Sequence, residues 1–204
     1  MGFNLVRLYK HFLHRRPFIT NVLTSTTFMV GGDVISQTIV LQDITAIDLR
    51  QTTTFAIAGL IFVGPAVRGC LVAIDKMFGP TSNIKVLSKK LFVDQILIAP
   101  VFLVCYISVL TLLKTMSFQE VMPELKKNYL NVLSMNYKFW PVVQMLNYYF
   151  VPLTYRVLFG SSASLIWNTL FSYRLYNKRK LMQKFDDFLT EEREQIERPG
   201  VKSG

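Results

Sequence analysis

The chain has very few groups that do chemistry. Of its 204 residues, two are cysteines and two are histidines. Cys70 and Cys105 lie apart, each inside an apolar run, with neither metal-ligand spacing nor the pattern of a disulfide framework, so they leave the redox compartment open. His11 and His14 both fall in the N-terminal arm, where an interfacial role outranks a catalytic one. No phosphate-cradling glycine loop, zinc-protease helix, dinucleotide turn or Ser-His-Asp set is present. These absences argue against an enzyme and give no reason to expect a cofactor or a metal. No nucleic-acid-binding motif is present either, so direct nucleic-acid binding is not expected.

Charge is also scarce, at 18% of residues, and acid is scarcest: 13 Asp and Glu stand against 23 Lys and Arg, giving +10. No acidic residue precedes Asp33. What fills the chain instead is apolar, at 51%, which exceeds the usual share in a soluble domain with so few charges. The apolar residues come in long runs separated by short charged loops, as in a polytopic helical membrane protein. Most Lys and Arg flank these runs, so the basic balance reads as interfacial anchoring and topology.

The pattern predicts an all-α transmembrane helix bundle. Four spans are expected, at about 18–41, 52–74, 91–113 and 152–176, with both termini on one side of a lipid bilayer. Each run is long enough at about 1.5 Å per residue. The first is unusually polar and should face other helices. Pro100 should bend the third or end its first turn. Residues 117–136 read as a surface amphipathic helix, with Ser117 and Glu120 as a capping box and a break at Pro123. A shorter helix at 139–150, re-entrant or simply packed, should end at Val151-Pro152. The arm before Phe18 carries leucines at helical spacing among basic residues. It reads as a surface-lying helix abutting the first span more than as a cleaved organellar targeting element. Residues 1–177 form one domain, and 178–204 form a charged tail, partly helical and then flexible.

Several polar groups lie at depth. Asp33 and Gln37 share a helix face. Asp94 and Gln95 open the third span, and Arg68 lies within the second. Trp140, Gln144, Asn147 and Val151 follow one helical stripe, with Arg156 beyond it. Such residues are costly in lipid unless paired or hydrated. One reading pairs Arg156 with Asp33 or Asp94 and uses the amides as interhelical glue. The other lines a hydrated path with the whole set.

These residues also compose a signature. The run Trp140-Pro141-x-x-Gln144-x-x-Asn147-Tyr148-x-x-Val151-Pro152-x-x-Tyr155-Arg156 is followed by Trp167-Asn168 and Ser172-Tyr173. Earlier blocks are Gly32-Asp33-x-x-Ser36-Gln37, Gly64-Pro65 with Asp75-Lys76, and Lys89-Lys90 through Asp94-Gln95 to Pro100. Together they resemble the Mpv-seventeen/peroxisomal-membrane-protein-twenty-two family over about residues 5–177.

The resemblance implies a small four-span protein of the mitochondrial inner membrane or, alternatively, the peroxisomal membrane. It implies a weakly selective channel for small solutes or metabolites, tied to mitochondrial homeostasis and mitochondrial DNA maintenance. A homo-oligomer is a further partner expectation, and the alternative function, supported by the amphipathic loop helix and the charged tail, is a non-conducting inner-membrane scaffold or assembly factor. The chain departs from the family where Arg68-Gly69-Cys70-Leu71 follows Gly64-Pro65, and in its longer tail.

Overall fold

In a computed structural model the protein is described at residues 5–41, 47–79, 83–170 and 186–190. All regular structure among these residues is helical. The first helix, α1 (Leu5–Arg15), stops before Pro17, and that proline opens α2 (Pro17–Leu41), where its missing N–H has no helical partner to lose. α1 folds back onto α2, burying Leu13 and leaving Leu8 and Phe12 exposed.

Two long apolar helices follow, α3 (Leu49–Phe78) and α4 (Ile84–Thr115), each long and apolar enough to cross a membrane. Only 28% of the most apolar window of each is buried. A core helix of a soluble protein would be mostly covered, whereas here Ile61, Phe92 and Val101 stand outward. Both helices are capped by the chain itself. Asp48 accepts from the Gln51 N–H at the start of α3, and Asn83 accepts from the Lys85 N–H at the start of α4, each satisfying one orphan donor of a first turn. Gly79 ends α3 at φ 76°, a left-handed position suited to glycine.

Each long helix widens for one turn just before a proline. Gly59–Val63 is π-helical ahead of Pro65, and Val93–Ile98 is π-helical ahead of Pro100. A proline offers no N–H to the carbonyl four residues back. The chain takes i−5 bonds instead, Gly64 N–H to the Gly59 carbonyl and Ala99 N–H to the Asp94 carbonyl. Pro100 therefore neither ends nor interrupts α4, which begins seven residues earlier than the apolar run at Leu91 suggests.

The largest correction concerns the next segment. After a 3-10 turn at Phe118–Glu120, one helix, α5 (Val121–Phe150), runs for 30 residues. The expected surface helix at 117–136 and the short helix at 139–150 are its two halves. α5 lies antiparallel along α4 for most of its length, so tertiary packing carries it through Pro141. Pro123 falls in its first turn, where no helical hydrogen bond is lost. The Ser117–Glu120 capping box is absent, for the Ser117 side chain makes no cap bond. Val151-Pro152 does break the chain, as expected. A 3-10 turn at Leu153–Tyr155 leads into α6, helical over 156–170. The end of the expected last span, Ser172-Tyr173 and most of the tail lie outside the described residues.

Three apolar clusters hold the bundle. Met29, Phe55, Ala58, Tyr106 and Leu110 join α2, α3 and α4. Leu71, Ile74, Leu87, Tyr148 and Val157 join α3 to α6. Leu103, Ile107, Val132 and Trp167 join α4, α5 and α6, with Phe139, Trp140 and Trp167 in mutual ring contact at 5.6–6.1 Å. Glycines set the closest crossings. A Cβ on Gly64 would sit 2.8 Å from the Val22 Cα, and one on Gly32 would sit 2.9 Å from the Asn168 Cβ. α2 can therefore pack tightly on both α3 and α6. It carries its threonines without leaving their hydroxyl donors unmet, since Thr20, Thr24, Thr26, Thr27 and Thr38 each donate to the carbonyl four residues back.

Candidate functional site

The polar groups predicted at depth fall into separate places. Asp33 and Gln37 meet the start of α3. Asp33 is fully buried and accepts from Gln37 Nε2 at 2.8 Å, Gln51 Nε2 at 2.7 Å and Thr52 Oγ1 at 2.8 Å. Gln37 Oε1 in turn accepts from the Asp48 N–H at 2.6 Å. This carboxylate is solvated by neutral donors, and no cation pairs with it among the described residues.

Arg156 pairs with neither Asp33 nor Asp94, contrary to the sequence expectation. Its partner is Asp75. Lys90 Nζ and Arg156 Nη1 both donate to Asp75 Oδ1 at 2.6 Å. The reason is geometric: Asp75 is in the last turn of α3, Lys90 is in the first half of α4, and Arg156 opens α6, so three helix ends converge. Lys90 is wholly buried. Arg156 also donates from Nε to the Val151 carbonyl at 2.9 Å, and Asn147 Nδ2 donates to the Arg156 carbonyl at 3.3 Å. The arginine thus ties α6 across the break at Pro152. Tyr148 lies beneath both cations, its ring centre 6.0 Å from Lys90 Nζ and 5.4 Å from Arg156 Cζ. Its hydroxyl donates to Asp94 Oδ1 at 3.1 Å, and Gln95 Nε2 donates to Asp94 Oδ2 at 2.6 Å.

Asp75 and Lys90 carry this network, yet sequence reasoning named them only as signature residues and did not place them among the polar groups at depth. Helical spacing held the signal. Leu71, Ile74 and Asp75 share one face, as do Leu87, Lys90 and Asp94. Each charge therefore continues a buried stripe past the end of its apolar run.

Beside the network lies a cavity of about 150 Å³ at the centre of α2 to α6. Its wall includes Asp94, Gln95, Gln144, Asn147 and Arg156 from the predicted set, with Trp140 and Trp167. Asn136, Ser161 and Asn168 also line it. Asp33, Gln37 and Arg68 do not belong to this wall. Asn136, Trp140, Gln144 and Asn147 form one stripe on α5, running toward Val151. Gln95 Oε1, Asn136 Nδ2 and Asn147 Oδ1 are buried without a partner among the described residues, although each belongs to a cavity-lining residue. An amide atom so placed costs roughly 1–3 kcal/mol unless something else meets it, and although the wall is mostly apolar, a cavity of this size has room for several waters at about 30 Å³ each beside these amides. The π turn of α4 presents Asp94 and Gln95 together to this interior, both buried.

Comparison with known proteins bears on what such a bundle belongs to. The model of the Mpv17 / PMP22 family matches residues 111–172. The mitochondrial inner membrane protein Mpv17 of Xenopus laevis is 33% identical, over 83% of this chain and 96% of its own length. That of Rattus norvegicus is 35% identical over 84% and 98%. Protein sym-1 of Neurospora crassa is 33% identical over 81% and 95%. No solved structure matches. With relatives aligned along nearly their whole length, and the α5–α6 signature inside the family match, the chain belongs to the Mpv17 / PMP22 family.

Proposed function

We propose that this protein is a multi-pass channel of the mitochondrial inner membrane, passing small polar solutes through the central cavity. The observation that carries this reading is the cavity wall. Three amide atoms, on Gln95, Asn136 and Asn147, are buried there without a partner among the described residues, and they face one interior, lined by five helices, whose wall is otherwise mostly apolar. A bundle serving only as a scaffold gains nothing from unmet amides in its centre, because apolar packing would stabilise it better. A solute path needs such atoms to replace hydration. α3 and α4 supply two membrane crossings by length and composition. α2 and α6, which stand at the positions of the expected first and last spans, are the other two crossings in this reading. Relatives named as mitochondrial inner membrane proteins favour that membrane over the peroxisomal one, and solute supply is how such a channel would serve mitochondrial homeostasis and DNA maintenance.

Within this reading Gln144 and Asn147 contact the solute, Asp94 sets the charge of the wall, and the Asp75–Lys90–Arg156 cluster closes the bundle at one end. The test is planar-bilayer conductance of purified protein, wild type against Asn147→Leu and Gln144→Leu variants that elute as native. Discrete wild-type currents, reduced or altered in selectivity by both substitutions, are expected. Silence from native wild-type protein across voltage, or currents that neither variant changes, would overturn it.

A further inference from the structure

Arg68 is absent from the central cavity and from both ion pairs, yet its Nη1 is buried without a partner among the described residues. It lines a second cavity, of about 180 Å³, set between the α1–α2 junction, α3 and the 3-10 turn before α6. Asn21 lines the same space. It is fully buried, and neither its Oδ1 nor its Nδ2 has a partner among the described residues. His14 and Thr154 complete the polar lining, over Leu13 and Leu153. His14 is fixed through Nδ1 against the Lys10 carbonyl at 2.8 Å.

Arg68 is half-buried, with Nη1 shut off from water and no carboxylate paired to it among the described residues, and a cation so placed within a membrane bundle marks a site that an anion completes. No carboxylate lines this cavity among the described residues, and Asp75, two turns further along α3, is held by Lys90 and Arg156. We infer that Arg68 and Asn21 form a binding site for a phosphate group, separate from the central cavity. The chemistry favours phosphate. The guanidinium supplies N–H donors in a planar fork matched to its oxygens. The Asn21 amide adds a donor for a further oxygen and an acceptor for a P–OH or for a hydroxyl on the same ligand. Asn21 lies only about 6 Å along α2 from Pro17 at about 1.5 Å per residue. The site is therefore near one end of the bundle, where either a lipid headgroup or a dissolved phosphate compound can enter. The basic residues Arg15 and Arg16 stand exposed beside this entrance and draw anions toward it. The inference does not depend on conduction.

The test measures binding by the full chain in two arms. In electroneutral detergent, inorganic phosphate is titrated against chloride at matched ionic strength. In nanodiscs, phosphatidylglycerol is compared with phosphatidylcholine alone. Wild type, Arg68→Gln, Arg68→Lys and Asn21→Ala are run in parallel, each checked for native elution. Phosphate affinity weakened about tenfold or more by Arg68→Gln, as expected on losing the cation of a hydrogen-bonded charge pair, supports the site and assigns a soluble phosphate compound. Selective retention of phosphatidylglycerol, lost in the same variant, supports it and assigns a lipid headgroup. In either arm Asn21→Ala should weaken binding less than Arg68→Gln, and Arg68→Lys should recover part of it. Should Arg68→Gln fail to fold, Asn21→Ala carries the same comparison. Wild type that binds neither ligand, or native variants that bind both as wild type does, would overturn the inference.

Discussion

Asp33 and Asp75 are both buried carboxylates that join α3 to its neighbours, and they are solvated in opposite ways. Asp33 takes three neutral donors at the start of α3 and no cation among the described residues. Asp75 takes two cations in the last turn of the same helix. From Thr52 to Asp75 the helix rises about 35 Å at about 1.5 Å per residue, close to the hydrocarbon thickness of a bilayer. With α3 across the membrane as proposed, one cluster stands near each face. The neutral cluster can lose a donor and still be solvated from the interface. The charged cluster has more cations than its carboxylate neutralises, so it fails asymmetrically.

That asymmetry gives the largest expected effect. Asp75→Leu leaves Lys90 and Arg156 buried without a carboxylate, and breaking such a cluster should cost about 3–5 kcal/mol. Detergent-solubilised variant should show a large fall in Tm or fail to elute as native. Lys90→Met should be much milder, because Arg156 still neutralises Asp75 and the Met stem fills the space of the Lys stem. If the two variants were equally damaged, the view of Asp75 as the shared centre of a triad would be wrong. Asp33→Leu comes next. It removes no counter-charge, but it strands Gln37, Gln51 and Thr52 as donors, for a cost of roughly 1–3 kcal/mol by the same unfolding measurement.

How far the sequence carried this picture depends on what each feature requires. Helical content, the run of α2, the break at Val151-Pro152 and the inward turn of Gln144 and Asn147 were legible, because period and proline chemistry are local. The continuity of α5 was not. Lys126, Lys127 and Pro123 make its first half look like a surface segment, and only packing along α4 shows that it continues through Pro141. The partner of Arg156 was not legible either. Sequence restricts a buried arginine to some carboxylate, but the choice among Asp33, Asp75 and Asp94 depends on which helix ends meet. The two π turns shift the register by one residue, so they help decide where Asp94 and Gln95 face, and no periodicity scan at 3.6 residues anticipates that.

The comparison also separates stability from conduction. Asp33 lies outside the cavity wall, whereas Asn147 lies in it. Asp33→Asn keeps an acceptor for two of the three donors and should leave single-channel conductance unchanged within error. Asn147→Leu should alter conductance in the fraction that elutes as native, at a stability cost of roughly 1–3 kcal/mol for the lost Nδ2 bonds to Gln144 and the Arg156 carbonyl. A current that follows Asp33→Asn instead would move the path to the α2–α3 contact.

The smallest effect expected is that of Gln51→Ala. Its amide donates to Asp33 Oδ1 at 2.7 Å, which on distance alone looks as valuable as the Lys90 bond to Asp75. The two differ in what is left behind. Gln51 is only half-buried, in the first turn of α3, so water from the interface can reach the vacated position, and Gln37 and Thr52 still hold Oδ2. The cost should be near the net value of one hydrogen bond, about 1 kcal/mol, seen as a small Tm shift. Gln51→Ala combined with Thr52→Val should cost more than the sum of the singles, because the two donors share one carboxylate. Simple additivity would mean that Asp33 is already reached by solvent, and the contrast between its neutral shell and the sealed triad at Asp75 would narrow.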